Sequence, residues 1–468
     1  MNFETFKNAL IFVGPGLALL FAWLFPLLGM PQLAAITAGI TFWVGLWWIF
    51  EPIPIPATSL IPFAAFPMAG VLSNKEVAQA YGHWLIMLLL GGFILSAAME
   101  KSGVHRRVAL FMIELVGRKS PRHLILGVML ATAFLSGWIS NTATTLMMLP
   151  VVVALCAELP GPKSVCALLL GLAYSASIGG IATPIGTPPN VVLMGVYQET
   201  TGADIAFLDW MLLGYPVAIV LLLLAWIYLT RNIERDDLVQ ADMSPHKLGS
   251  ISTQEKRVLI VFALTALAWI TRKQPAGGWS YILETTTVGD DTVALAAAAL
   301  VFVVPNGSGG KLLDWESAVK IPWGLLILFG GGIAVAKAFG ASGLSEFIGQ
   351  ALSGVTALPV LVMIALICCS VTFLTEMTSN TATTTLLMPI LAAAALAANT
   401  EPLLLMLPAA LSASCAFMLP VATAPNAIVF GSGMVTVKQM AQEGFMLNII
   451  GIVVVTLGCF FGGSVLLF

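Results

Sequence analysis

Apolar runs long enough to cross a bilayer follow one another from end to end of the chain, separated by short polar stretches. A spanning helix needs about 20 predominantly apolar residues. On that measure the pattern predicts eleven transmembrane helices, at 9–29, 33–50, 53–72, 84–100, 164–196 (interrupted), 208–230, 256–271, 291–305, 322–340, 402–433 (interrupted) and 444–467. Two further apolar stretches, 123–157 and 358–398, carry a Ser-Asn-Thr cluster in the middle. A lipid-facing helix would leave those polar groups in hydrocarbon, whereas irregular backbone at membrane depth is tolerated where protein or a wet cavity surrounds it. Each stretch is therefore predicted to be a re-entrant hairpin with its cluster at the tip. The fold class is an all-α polytopic membrane protein of eleven transmembrane helices plus two re-entrant hairpins.

The clusters are copies. Ser140-Asn141-Thr142-Ala143 recurs as Ser379-Asn380-Thr381-Ala382, an offset of 239 that also links Trp84 to Trp323, Gly91 to Gly330, Gly92 to Gly331 and Ser136 to Thr375. Proline-bearing breaks repeat at an offset of 236, matching Thr187 to Thr423, Pro189 to Pro425 and Asn190 to Asn426. Flanking charge separates the copies: 101–123 holds Lys101, Arg106, Arg107, Arg118, Lys119 and Arg122, while 341–358 holds no Lys or Arg. By the positive-inside rule the first segment faces the cytoplasm and the second faces away from it, so the repeats have inverted topology. The same count puts the N-terminus inside and the C-terminus outside. Arg272 and Lys273 fall on the outer side against the trend, accompanied by Glu284, Asp290 and Asp291. The resulting division is a first transmembrane helix within 1–32, repeat 1 over 33–230 with an inward-entering hairpin at 123–157, a cytoplasmic linker at 231–255, and repeat 2 over 256–468 with an outward-entering hairpin at 358–398. The segment 104–115 is apolar at helical spacing with a basic face and reads as an interfacial helix, with Arg106 and Arg107 anchoring it to lipid headgroups.

Composition narrows the class further. Of 468 residues, 59% are hydrophobic and 9% charged, which excludes a set of soluble domains. Recurring helix-length runs exclude a transmembrane barrel, and a net charge of -3 offers no basic face for nucleic acid. The six cysteines sit in apolar stretches without metal-ligand or Cys-x-x-Cys spacing and read as small core residues. His83, His105, His123 and His246 lie at span ends or in polar segments, an arrangement that does not suggest metal ligation.

The duplicated elements carry the chemistry. Proline and glycine in the breaks at 182–190 and 419–426 halt the hydrogen-bond ladder, leaving free carbonyls and half-helix N-termini at membrane depth. Free carbonyls with Ser, Thr and Asn oxygens suit a desolvated Na+, whereas half-helix N-termini with Asn amides and Thr hydroxyls donate to carboxylate. Two related half-sites suit a substrate with two anionic ends, a dicarboxylate. Neither motif contains Arg or Lys, so a dianion there needs co-bound cations to offset uncompensated charge in low dielectric.

With its paired Ser-Asn-Thr tips, its Thr-Pro-Pro-Asn and Thr-Ala-Pro-Asn breaks and its eleven-span plan, the chain resembles the divalent anion/sodium symporter (DASS) family over essentially its whole length, and especially the family's bacterial sodium-coupled dicarboxylate transporters. The resemblance implies a homodimer in the cell inner membrane, each protomer moving a transport domain of hairpins and broken helices against a fixed scaffold in an elevator-type motion. It further implies at least two Na+ sites: one of Ser136, Ser140, Asn141 and the Gly186 carbonyl, the other of Thr375, Thr378, Asn380 and the Ala422 carbonyl. The substrate would touch Asn141, Thr142, Asn380, Thr381 and Thr423. The chain departs from the expected pattern at Ala424, where the first copy has Pro188. Glu376, matched by Gly137 in the other copy, stands outside the ligand set.

The function expected is Na+-coupled symport of C4-dicarboxylates such as succinate, malate or fumarate. Sulfate or a tricarboxylate is the nearest alternative substrate, and sodium-independent exchange is the nearest alternative mode. An intramembrane enzyme is disfavoured: no His-Glu-x-x-His or Gly-x-Ser-x-Gly occurs, and a hydrolase has no need of a duplicated site. A passive channel would neither saturate nor concentrate its substrate.

Overall fold

The computed structural model describes residues 3–116, 120–157, 159, 161–233, 249–273, 277–285, 287–352 and 358–467. Most of the expected linker, including Arg235, His246 and Lys247, lies outside them, as do Arg118 and Lys119. The described chain is helical, and its one β-type pairing is an isolated bridge between Pro305 and Lys311.

Helix α1 (Phe3–Leu27) packs on α2 (Gln32–Phe50) and is otherwise bare: only 11% of its Lys7–Leu27 window is buried, as suits an apolar surface meant for lipid. Three short helices follow, α3 (Ile55–Thr58), α4 (Ile61–Met68) and α5 (Asn74–Tyr81). The predicted span 53–72 thus comes apart into α3 and α4, with Pro62 at the junction removing a backbone donor. Then come α6 (Trp84–Ser102), α7 (Val104–Val116), the pair α8 (Pro121–Ser136) and α9 (Asn141–Cys156), the pair α10 (Pro162–Gly180) and α11 (Pro188–Thr201), and α12 (Phe207–Leu229).

The second half opens with α13 (Thr253–Ile270), α14 (Gly278–Ile282), α15 (Asp290–Val303) and α16 (Trp315–Ala318). From there the order of the first half returns: α17 (Trp323–Ser342), α18 (Leu344–Leu352), the pair α19 (Val360–Thr375) and α20 (Asn380–Ala397), the pair α21 (Leu403–Ala413) and α22 (Ala424–Gly431), and the long α23 (Val437–Leu467). Among the described residues, eight helical stretches are long and apolar enough to cross a membrane, and five shorter apolar ones accompany them. The protein is therefore an all-α, multi-pass membrane protein. At 1.5 Å per residue, the 16 residues of α8, α9 or α19 reach roughly 24 Å, short of a hydrocarbon core of about 30 Å.

Close packing follows the duplicated glycines. A Cβ on Gly91 would lie 2.6 Å from Ala294 Cβ on α15, and one on Gly330 would lie 2.4 Å from the Tyr81 ring, so both positions require the bare backbone. The first hairpin packs on α10 and the second on α21, while α22 crosses both α9 and α10 and brings the halves together.

Polar ties explain two sequence features. Arg272, which broke the charge trend, is buried against Asp290 (Nε to Oδ1 2.5 Å, Nη2 to Oδ2 3.1 Å), and Asp290 also accepts from Phe207 N–H at 3.2 Å. Lys273 pairs with Asp204 at 3.0 Å. Both cations are paired with carboxylates, Arg272 inside the fold and Lys273 at the surface, so they weigh little in the orientation count. Arg107 departs from the expected headgroup role: its guanidinium donates to Glu255 at 2.9 Å and to the carbonyls of Gly249 and Ser250, tying α7 to the start of α13. Arg106 stays exposed.

Candidate functional site

Each hairpin tip is a sharp stop and restart of helix. In the first, α8 ends at Ser136 and α9 restarts at Asn141, with Ser140 as N-cap accepting from Ala143 N–H at 3.2 Å. In the second, α19 ends at Thr375 and α20 restarts at Asn380. Behind each asparagine stands a buried hydroxyl residue. Thr375 Oγ1 donates to Asn380 Oδ1 at 2.8 Å and lies 3.3 Å from the Ala413 carbonyl. In the first half Ser136 Oγ sits 2.6 Å from the Asn141 amide and 2.6 Å from the Ala176 carbonyl. With its nitrogen turned to that end, Asn141 also donates to the carbonyls of Ala176 and Gly186 at 3.1 and 3.2 Å. Three oxygens thus converge on one point, an arrangement that accepts N–H donors or a small cation equally well.

The breaks between the broken helices are held by a matched asparagine staple. Asn190 Nδ2 donates to the carbonyls of Gly180 (3.0 Å) and Thr183 (2.8 Å), and Asn426 Nδ2 donates to those of Ala416 (3.1 Å) and Leu419 (3.0 Å). Both asparagines are wholly buried. The two junctions with the hairpins differ. Thr183 Oγ1 donates to the Gly137 carbonyl in the first half, whereas in the second the Glu376 carboxylate accepts from the N–H groups of Phe417, Met418 and Leu419 at 2.8, 2.9 and 3.0 Å.

The restarted half-helices differ as well. Pro188 opens α11 and has no N–H, while Ala424 opens α22 and keeps one. Thr423 caps α22 by accepting from Asn426 N–H at 3.2 Å, which leaves its O–H proton free to donate elsewhere; Thr187 makes no such cap bond.

One cavity of about 230 Å³ gathers both copies: Ser140, Asn141, Thr142 and Gly186 from the first half, and Asn380, Thr381, Ala422 and Thr423 from the second. No charged side chain lines it. Of the residues singled out in the sequence, Ser136 and Thr375 stand behind the lining, bonded to Asn141 and Asn380. Thr378 is also buried off the lining, its hydroxyl 2.6 Å from that of Thr383 and 3.0 Å from the Leu374 carbonyl. Part of the remaining wall, Leu89 and Phe93 from α6 with Leu325 and Phe329 from α17, was not singled out in the sequence. Its signal was present: α6 and α17 start at the repeat-related Trp84 and Trp323.

Comparison with known proteins agrees with this picture. The family model described as the sodium:sulfate symporter transmembrane region matches residues 9–468. The chain is 43% identical over 474 residues to the sodium-dependent dicarboxylate transporter SdcS of Staphylococcus saprophyticus subsp. saprophyticus, covering 96% of this chain and 90% of that one. It is 40% identical over 476 residues to SdcS of Staphylococcus aureus strain MRSA252, covering 97% and 91%. Among solved structures, the Alcanivorax borkumensis YdaH transporter superposes with a TM-score of 0.60 at 11% identity, over 83% of this chain and 88% of that one. Neisseria gonorrhoeae MtrF gives 0.53 at 13% identity, over 82% of each, and both likenesses are of fold alone. With a family match over nearly its whole length and relatives at 40–43% identity, the chain belongs to the divalent anion/sodium symporter family, that of the sodium:sulfate symporter transmembrane region.

Proposed function

We propose that the chain is a secondary active transporter that couples Na+ to the uptake of C4-dicarboxylates such as succinate, malate or fumarate across the inner membrane. The observation that carries this reading is that both Ser-Asn-Thr tips and both broken-helix restarts line one small cavity with no charged side chain. Such a cavity holds a dianion only with help. A sodium ion about 4 Å from a carboxylate contributes about 4 kcal/mol at an effective dielectric of 20, a roughly thousandfold gain in affinity. Coupling follows from that term, because neither ion binds well without the other. The names of the staphylococcal relatives support the same substrate class.

Within this reading, Asn141, Thr142, Asn380, Thr381 and Thr423 contact the substrate. One Na+ lies among Ser136, Ser140, Asn141 and the Gly186 carbonyl, and a second among Thr375, Thr378, Asn380 and the Ala422 carbonyl. The convergence of Ser136 Oγ, Ala176 O and Gly186 O on Asn141 supports the first. The chain then has eleven spans, two hairpins of opposite entrance, and repeats over 33–230 and 256–468 joined by a cytoplasmic linker, a plan supported by the duplicated order α6–α12 and α17–α23 together with the flanking charges. The N-terminus is then cytoplasmic and the C-terminus extracytoplasmic. The hairpins and broken helices move as an elevator against α6 and α17, and the protein works as a homodimer.

Radiolabelled succinate uptake into proteoliposomes tests the reading. Accumulation should require an inward Na+ gradient, saturate, and be competed by malate and fumarate but not by sulfate or citrate. Competition by sulfate or citrate would favour the alternative substrates, and equal exchange in the absence of Na+ would favour an exchanger.

A further inference from the structure

The neutral cavity continues into a larger one of about 500 Å³, and the two share Phe93, Ser140, Thr142 and Leu325. One wall of the larger cavity is the first hairpin. The opposite wall carries charge: Glu100 and Lys101 near the end of α6, and Lys320 just before α17, with Ser96 and Ser317 beside them. Lys101 is already paired, donating to Asp314, whose carboxyl Lys101 and Ser317 hold well below the usual carboxylate range. That pair is ionised and neutral in sum. Lys320 is exposed and has no ion-pair partner within 4.0 Å among the described residues.

We propose that this vestibule is a second station for the anionic substrate, with the Lys320 ammonium as its anchor and the Glu100 carboxylate opposing it so that the anion dwells only briefly. The inference rests on the transport reading above. The device is one-sided. At the repeat offset of 239, Lys320 corresponds to Tyr81, whose hydroxyl is bonded to the Ser59 carbonyl, and Glu100 corresponds to Phe339. The second half therefore builds no matching station toward the other membrane face. By the flanking charges the vestibule faces the cytoplasm. A cation without an ion-pair partner at the mouth of a pocket lined by no charged side chain draws anions there, and salt screens the effect.

The test is succinate transport by the full chain in proteoliposomes of determined orientation, with half-saturation measured separately from each face and at several ionic strengths. Lys320→Gln should raise the half-saturating concentration about three- to tenfold on the vestibule face, flatten its salt dependence, and leave the opposite face within about twofold. Glu100→Gln should shift the vestibule face the other way, and Lys320→Arg should behave as wild type. A Lys320→Gln protein with unchanged half-saturation on the vestibule face, or with both faces shifted alike, overturns the station while wild-type uptake leaves the transport reading standing. Wild-type protein without sodium-driven uptake overturns both.

Discussion

Asn448 of α23 donates through Nδ2 to Glu376 Oε1 at 2.7 Å, so a buried carboxylate joins a hairpin tip, a broken helix and the last long helix. With three backbone N–H groups of the break on the same carboxylate, four donors converge on a side chain that is 3% exposed. Leaving a buried donor unsatisfied costs about 1–3 kcal/mol. Glu376→Ala should therefore lower the melting temperature in detergent and cut succinate uptake at least about tenfold, with Asn448→Ala milder in both. Wild-type melting and uptake in Glu376→Ala would show that the break holds itself.

The two asparagines at the restarts carry the sharpest expectation for transport. Under the proposed site assignment, Asn141→Ala and Asn380→Ala each remove an oxygen from a cation site and a donor from the anion site, so each should abolish concentrative uptake. Thr142→Ala should weaken half-saturation by succinate more than that by Na+. Equal losses for both would argue against a division of roles between the residues.

A steric prediction tests the first half alone. A Cβ on Gly180 would lie 2.6 Å from the Asn141 side-chain amide, whereas one on Gly16 meets nothing within 4 Å. Gly180→Ala should displace Asn141 and raise the Na+ concentration for half-maximal uptake about tenfold or more, and Gly16→Ala should leave it unchanged. Sodium activation curves decide between them.

On the side opposite the vestibule, α11 is fastened to α6 and α17. Lys337 lies 3.6 Å from Glu199, and Trp84 Nε1 donates to Gln198. The ion pair is about a quarter exposed on each side, so it is worth at most about 1 kcal/mol, or roughly fivefold in a population ratio. Lys337→Glu should raise labelling of a reporter cysteine on the outer side of the cavity by up to about that factor, and the exchange Lys337→Glu with Glu199→Lys should restore it. No change in labelling would mean that the pair is surface decoration.

Much of this was legible in the sequence because membranes simplify it: hydrocarbon punishes unsatisfied backbone, so the run lengths exposed the helices, and the Ser-Asn-Thr and Pro-Asn interruptions exposed residues that line the shared cavity. The parts that stayed hidden depend on contacts between distant segments. Leu89 and Phe329 look like any span residue until folding sets them against the cavity. Glu376 had no visible partner in the sequence, because Phe417–Leu419 come to lie on it only in the fold. Arg107 was read as a lipid anchor because nothing local announces Glu255, 148 residues away.

The difference between Pro188 and Ala424 reaches beyond the fold. Because one end of the cavity offers a backbone donor that the other lacks, the two ends greet a cargo unequally. Succinate, whose halves are identical, has no means of registering this. Malate does, since its hydroxyl sits on one half and on a stereocentre, and a receptor with unlike ends favours one heading and one hand of it. Under the transport function proposed above, enantiomer preference for malate is thus the trait that a single alanine in place of proline leaves open to tuning.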